Sequence, residues 1–137
     1  MISITQGYRS AVIYMLIRLM SIDGHRDRNE YIYILKVAHE MGMTPEEISA
    51  LKPEGVYTQS KMPNDEIERM IILYYLLFMM QIDGIITSEE ERLVKDLGHQ
   101  LGFRIDMVAD LIEVIKSHEQ IESPSEALLD KIRAYLN

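Results

Sequence analysis

Apolar residues recur along this chain at the three- and four-residue spacing of helix faces. No stretch alternates apolar and polar positions between turn residues, as a half-buried strand would. The pattern predicts an all-α fold with helices over about 5–23, 27–42, 45–52, 64–83, 87–102, 105–118 and 124–136. Caps mark several of the starts. Thr44-Pro45-Glu46-Glu47 sets a hydroxyl at the N-cap, proline at the first helical position and glutamate at the third, and Ser123-Pro124-Ser125-Glu126 repeats the formula. Asn64 or Asp65, after Pro63, opens the helix that runs through MIILYYLLFMM at residues 70–80. Apolar nearly all round, that segment reads as the centre of a domain. Its eleven residues fall short of the roughly 20 that cross a bilayer, so no integral membrane segment is expected. Pro53, Gly55 and Pro63 mark one linker.

The two sides of that linker are related by a shift of sixty without insertion. Tyr14, Leu16, Met20, Ile22, Asp23, Gly24, Glu30, His39, Gly42 and Leu51 match Tyr74, Leu76, Met80, Ile82, Asp83, Gly84, Glu90, His99, Gly102 and Leu111, ten identities in thirty-eight positions. Each unit reads as a helix, an Asp-Gly corner, a second helix, a Gly corner and a third helix. One such unit is too small to bury its own apolar face. The expectation is therefore a single domain over 1–137, with units at about 8–52 and 64–118 related by pseudo-two-fold symmetry and the C-terminal helix closing an open side.

The corners read MSIDGHRDRNE and MQIDGIITSEE. Gly24 and Gly84 can take the left-handed conformation that stops a helix. Three residues on, Asp27 or Thr87 can cap the next helix, with Glu30 or Glu90 at its third position to complete a capping box. At 100° per residue, Glu30 lies about 20° from Val37 and Glu90 about 20° from Leu97, so both carboxylates point toward the apolar side. An inward carboxylate needs partners. It can bond its own N-cap and face the positive helix end, or it can share a divalent cation such as calcium or magnesium with the corner aspartates. The candidate cation ligands are Asp23, Asp27 and Glu30 at the first corner and Asp83 and Glu90 at the second. Calcium takes roughly six to eight oxygens, more than the carboxylates of one corner supply, and the spacing is not that of an EF-hand loop. Arg26 and Arg28 oppose a cation at the first corner, whereas Glu89 and Glu91 flank Glu90 at the second.

The rest of the composition mostly excludes. There is no cysteine, which removes disulfides, thiolate metal sites and thiol nucleophiles and is consistent with a cytoplasmic location. The N-terminus has no basic stretch ahead of its apolar run, so no signal peptide is expected. A net charge of −8 argues against nucleic acid. It is uneven, with seven acids and six bases in residues 1–60 and fifteen acids and eight bases in 61–137. His39 and His99 sit half a turn away from the corner glutamates, at helix C-terminal ends that favour positive charge. His39-Glu40 begins a zincin-like string, but Met43 stands where its second histidine belongs. No nucleophile elbow, phosphate loop or dinucleotide fingerprint is present. Tyr31 and Tyr33 point to different faces of one helix, which leaves one of them for a second copy or another protein.

The Asp-Gly-x-x-[Asp/Thr]-x-x-Glu corner, preceded by a long apolar helix and duplicated in one helical domain, resembles the tellurite-resistance TerB-like family over roughly residues 8–118. Members typically carry alanine before Asp-Gly where this chain has Ile22 and Ile82, which marks it as divergent. The resemblance implies a bacterial stress-response protein whose acidic corners bind a divalent cation. Taken together, the expected function is a non-enzymatic interaction or sensing module. The alternatives are a metal-dependent hydrolase using the converging carboxylates, and a purely structural or oligomeric scaffold.

Overall fold

Two segments of this chain have almost no polar side chain to offer to water, and both become helices buried on nearly every side. The computed structural model describes residues 9–22, 28–50, 65–82 and 84–117. Among these residues there are six helices and no strand: α1 (Arg9–Ser21), α2 (Arg28–Glu40), α3 (Pro45–Ser49), α4 (Glu66–Gln81), α5 (Ser88–Gln100) and α6 (Ile105–Lys116). The described residues are all-α, as the periodicity predicts. The expected helix over 124–136 and the linker lie outside the described residues.

α1 buries residues 11–13, 15–17, 19 and 20, and α4 buries residues 71–73, 75–77, 79 and 80. Only one position per turn is left half-buried in these stretches: Tyr14 and Arg18 in α1, Tyr74 and Phe78 in α4. The two helices pack on each other; α2 and α5 also lie on α1, and α5 and α6 lie on α4. Burial pushes the Tyr75 phenol up to about 12, and the Glu40 carboxylate adds to the shift, so this ring is a neutral core residue at ordinary pH. Tyr33 of α2 meets Phe78 of α4 with ring centroids 4.9 Å apart at a tilt of 42°, a favourable aromatic geometry.

The outer helices are one-sided. α2 buries Glu30, Tyr33, Ile34, Val37 and Ala38, and α5 buries Glu90, Leu93, Val94, Leu97 and Gly98. Both end in the same way. Gly42 (φ 79°) donates its N–H to His39 O and Met43 to Ala38 O, while Gly102 (φ 94°) donates to His99 O and Phe103 to Gly98 O. These are Schellman closures, in which a left-handed glycine satisfies carbonyls the helix leaves open.

Beyond these ends the chain diverges. α3 starts on the predicted capping box: the Glu47 N–H donates to Thr44 Oγ1 at 3.1 Å and the Thr44 N–H donates to Glu47 Oε1 at 3.0 Å. Yet α3 is five residues long and buries none of them. α6 runs for twelve residues and buries Val108, Ile112 and Ile115. Its N-cap is Arg104, which makes no side-chain capping bond and instead pairs with Asp106 at 3.0 Å. Of the two candidates before α4, Asp65 is the cap, its Oδ1 accepting the Ile67 N–H at 3.0 Å.

Candidate functional site

Glu30 and Glu90, two of the five candidate cation ligands, are the only buried charged residues among those described, at 4% and 3% exposure. Burying a carboxylate without partners would be costly, and at the second corner the partners are visible. α4 is capped at Ile82, and Gly84 (φ 75°) turns the chain back with its N–H on Gln81 O at 3.2 Å. Thr87 then caps α5. Glu90 Oε1 accepts the Thr87 N–H at 2.9 Å and the Thr87 hydroxyl at 3.1 Å, while the Glu90 N–H donates back to Thr87 Oγ1 at 3.1 Å. The carboxylate also stands at the positive end of α5. Its inward direction and its capping role are as the sequence predicts.

Glu30 takes the same inward position in the first turn of α2. Asp23, Asp27 and Asp83, the other candidate ligands, lie outside the described residues, as does Gly24. The three successive glutamates of the second corner do not converge. Glu89 is exposed, Glu90 is buried in the capping box, and Glu91 turns to α6, where it forms an ion pair with Lys116. The hydrogen bond to Glu91 raises the Lys116 ammonium above its usual range, with the nearby Glu113 carboxylate adding to the effect. Among the described residues, no three histidine or carboxylate side chains are grouped closely enough to hold a metal ion. His39 and His99 are both exposed near the ends of their helices.

One pair of working residues is not evident from the motifs. Arg9, at the start of α1, donates Nη1 to Met41 O at 3.1 Å and to Gly42 O at 3.3 Å, and its Nη2 lies 3.6 Å from Glu47 Oε2. It thus ties the C-terminal end of α2 to the capping box of α3. The Glu47 carboxyl is held below the usual glutamate range, first by its hydrogen bonds with Thr44 and then by Arg9. Sixty residues on, Arg69 at the start of α4 donates Nη1 to Leu101 O at 3.4 Å, at the end of α5. The position matching Glu47 is Met107, and the buried Arg69 Nε has no hydrogen-bond partner among the described residues. The signal that could have found this pair is an eleventh identity at the same shift, five residues ahead of Tyr14 and Tyr74.

The two outer helices differ most on their solvent sides. α2 exposes Tyr31 (52%), Ile32 (51%) and Leu35 (37%), where α5 carries Glu91, Arg92 and Lys95. These α5 residues, with Ser88, Asp96 and Ile105 of α6, line an open groove of about 300 Å³. No family model matches the chain, and no curated protein or solved structure matches it either.

Proposed function

We propose that this chain is a non-enzymatic interaction or sensing module of a bacterial stress response, a divergent relative of the TerB-like proteins built from two three-helix units with pseudo-two-fold symmetry and a C-terminal helix. Support for the two units is the recurrence, sixty residues apart, of the α1 and α4 burial pattern, the inward glutamates, the Schellman closures and the arginine bonds to helix-end carbonyls. The interaction reading is carried by one observation, the apolar solvent side of α2. At the same register α5 uses charged residues, so the fold does not require Tyr31, Ile32 and Leu35 to be apolar. Neighbouring exposed apolar residues with no packing reason among the described residues mark a surface for another molecule.

The test is a chromosomal Tyr31→Glu/Ile32→Arg/Leu35→Lys variant, which borrows the α5 residues. In the bacterium that encodes the chain, the variant accumulates normally and reproduces the stress sensitivity of a deletion, tellurite exposure included. Wild-type survival under a stress that the deletion fails would refute the proposal.

A second reading, cation binding at the corners, is favoured by a separate observation. The Ser21 hydroxyl, two residues before Asp23, is buried without a hydrogen-bond partner among the described residues, close in sequence to Asp27 and Glu30. Calorimetric titration of metal-free protein with calcium and magnesium, repeated on Asp23→Asn and Asp83→Asn, tests it. Heat that is absent, or unchanged in both variants, would leave the corners as architecture.

A further inference from the structure

The exposed side of α2 has a definite chemical character. On a helical wheel Tyr31, Ile32 and Leu35 fall within about 100° of arc, and Ile32 and Tyr31 each meet Leu35 one turn on. Arg28 stands at the N-terminal end of this stripe and Lys36 beside it, both exposed. Among the described residues of α2 no carboxylate is exposed: Glu30 is buried and Glu40 is half-buried. In a chain of net charge −8, α2 therefore presents an apolar stripe with a cationic rim.

α5 shows what can lie against such a helix. α6 packs along it, placing Val108 against Gly98 and pairing Lys116 with Glu91, so that Glu91 and Lys95 are half-buried. On the first unit the element in that place is α3, too short to bury any of its residues, and the matching Tyr31 and Leu35 stay exposed. A second copy docking by this same face about a two-fold axis would set Arg28 and Lys36 among their own counterparts, a like-charge arrangement. An acidic helix meets no such opposition.

We propose that the α2 face binds a partner protein through an amphipathic helix, with apolar residues at i, i+3, i+4 and i+7 seated on Tyr31, Ile32 and Leu35 and carboxylates facing Arg28 and Lys36. This is helix-on-groove recognition with charge selection at the rim. It rests on the interaction reading above and specifies the partner's chemistry.

The probes are two fluorescein-labelled peptides of four helical turns, identical in their leucine stripe, one with glutamate and one with lysine at the remaining positions. Fluorescence anisotropy against the full chain shows the acidic peptide binding about tenfold tighter or more, with affinity falling as salt is raised. Arg28→Glu/Lys36→Glu reverses the preference while leaving the stripe intact, and Tyr31→Glu/Ile32→Arg/Leu35→Lys abolishes binding of both peptides. Circular dichroism confirms that each variant is folded. Reversal in the charge variant cannot come from unfolding, so it supports the proposal even if the triple variant is unstable. Equal binding of the two peptides, binding of neither, or sedimentation as a dimer that the triple variant disperses would each overturn it. In the first two cases, loss of stress survival by the chromosomal variant would show that the face still binds something, of different chemistry.

Discussion

Gly98 stands in the interior of α5, where glycine costs about 0.8–1 kcal/mol relative to alanine. Replacing it with alanine should therefore stabilise the helix, unless something occupies the space. A Cβ at this position would lie 2.7 Å from Val108 Cγ2 and 3.4 Å from Cγ1. Carbon atoms in good contact sit about 3.5–4.0 Å apart, so Val108 would have to retreat by about 1 Å. It has little freedom to do so. Its side chain is fully buried and branched at Cβ, and its helix is held to the core by Ile112 and Ile115 and to α5 by the Lys116–Glu91 pair. Overpacking of this kind costs about 1–3 kcal/mol. Against the propensity gain, Gly98→Ala should lower stability by about 1 kcal/mol, or about 3–5 °C in Tm for a domain of this size.

Val108→Ala supplies the control. It removes two buried methyl groups, a loss of about 2 kcal/mol by transfer and cavity terms, and it removes the atoms that the new Cβ would strike. In that background Gly98→Ala should become neutral or stabilising by up to about 0.8 kcal/mol. The cycle thus carries a coupling of about 1–2 kcal/mol, well above the deviation expected of independent sites. Urea unfolding followed by far-UV circular dichroism reads all four proteins, with an unchanged denaturant slope as the check that only the native contacts have moved. A higher midpoint for Gly98→Ala in the wild-type background, or additive effects in the double variant, would refute the close approach of α5 and α6.

Thr87→Ala should cost about 1 kcal/mol as the loss of an N-cap, and Glu90→Gln should cost less than Glu90→Ala, because an amide oxygen can still accept the Thr87 N–H; equal losses in thermal unfolding would deny the capping role. Glu47 has its folded-state pKa depressed, so its contribution is fully present above about pH 4.3, fades as pH falls through that value and is gone below the folded-state pKa. A Glu47→Gln variant should therefore match wild type in acid and fall behind it at neutral pH. Met107→Glu should be more stable than Met107→Gln at neutral pH, because a carboxylate there can meet Arg69 as Glu47 meets Arg9; a difference that survives below about pH 3, where a glutamate is protonated, would rule that pairing out.

Much of the fold is legible in the sequence because the governing interactions are local. The capping boxes at Thr44 and Thr87 need only residues three apart, and the inward direction of Glu30 and Glu90 follows from helical rotation alone. The same rotation separates Tyr33, buried against Phe78, from Tyr31 in solvent. What a sequence pattern does not reveal is contact across the chain. Arg9 and Arg69 each bond carbonyls more than thirty residues away, yet in composition they read as ordinary surface charges. Glu91 flanks Glu90 in an acidic run, but its partner Lys116 is on another helix. The reason for a glycine at 98 is Val108, ten residues on and out of view until α6 packs. At the candidate site, the sequence places all five acids on two corners, while the described residues include only Glu30 and Glu90.

The sixty-residue correspondence also separates architecture from function. Features present at both of two positions sixty residues apart are glycines of positive φ at 42 and 102, arginines reaching the carbonyls beside them, and glutamates turned inward at 30 and 90. The glycines, the arginines and Glu90 each have a local physical cause. The arginines place positive charge at the negative ends of α2 and α5, and Glu90 is held by its cap. Recurrence is therefore weak support for a ligand at the corners, since a helix that starts after a tight turn calls for such residues wherever it occurs. Differences at matching positions carry the opposite weight. Glu47 against Met107, and Tyr31, Ile32 and Leu35 against Glu91, Arg92 and Lys95, are not called for by the helix ends and burial pattern that recur. The first leaves Arg69 without the carboxylate partner that Arg9 has in Glu47. The second leaves apolar area in water with no packing return among the described residues, and for that reason the partner is sought on α2 rather than at the acidic corners.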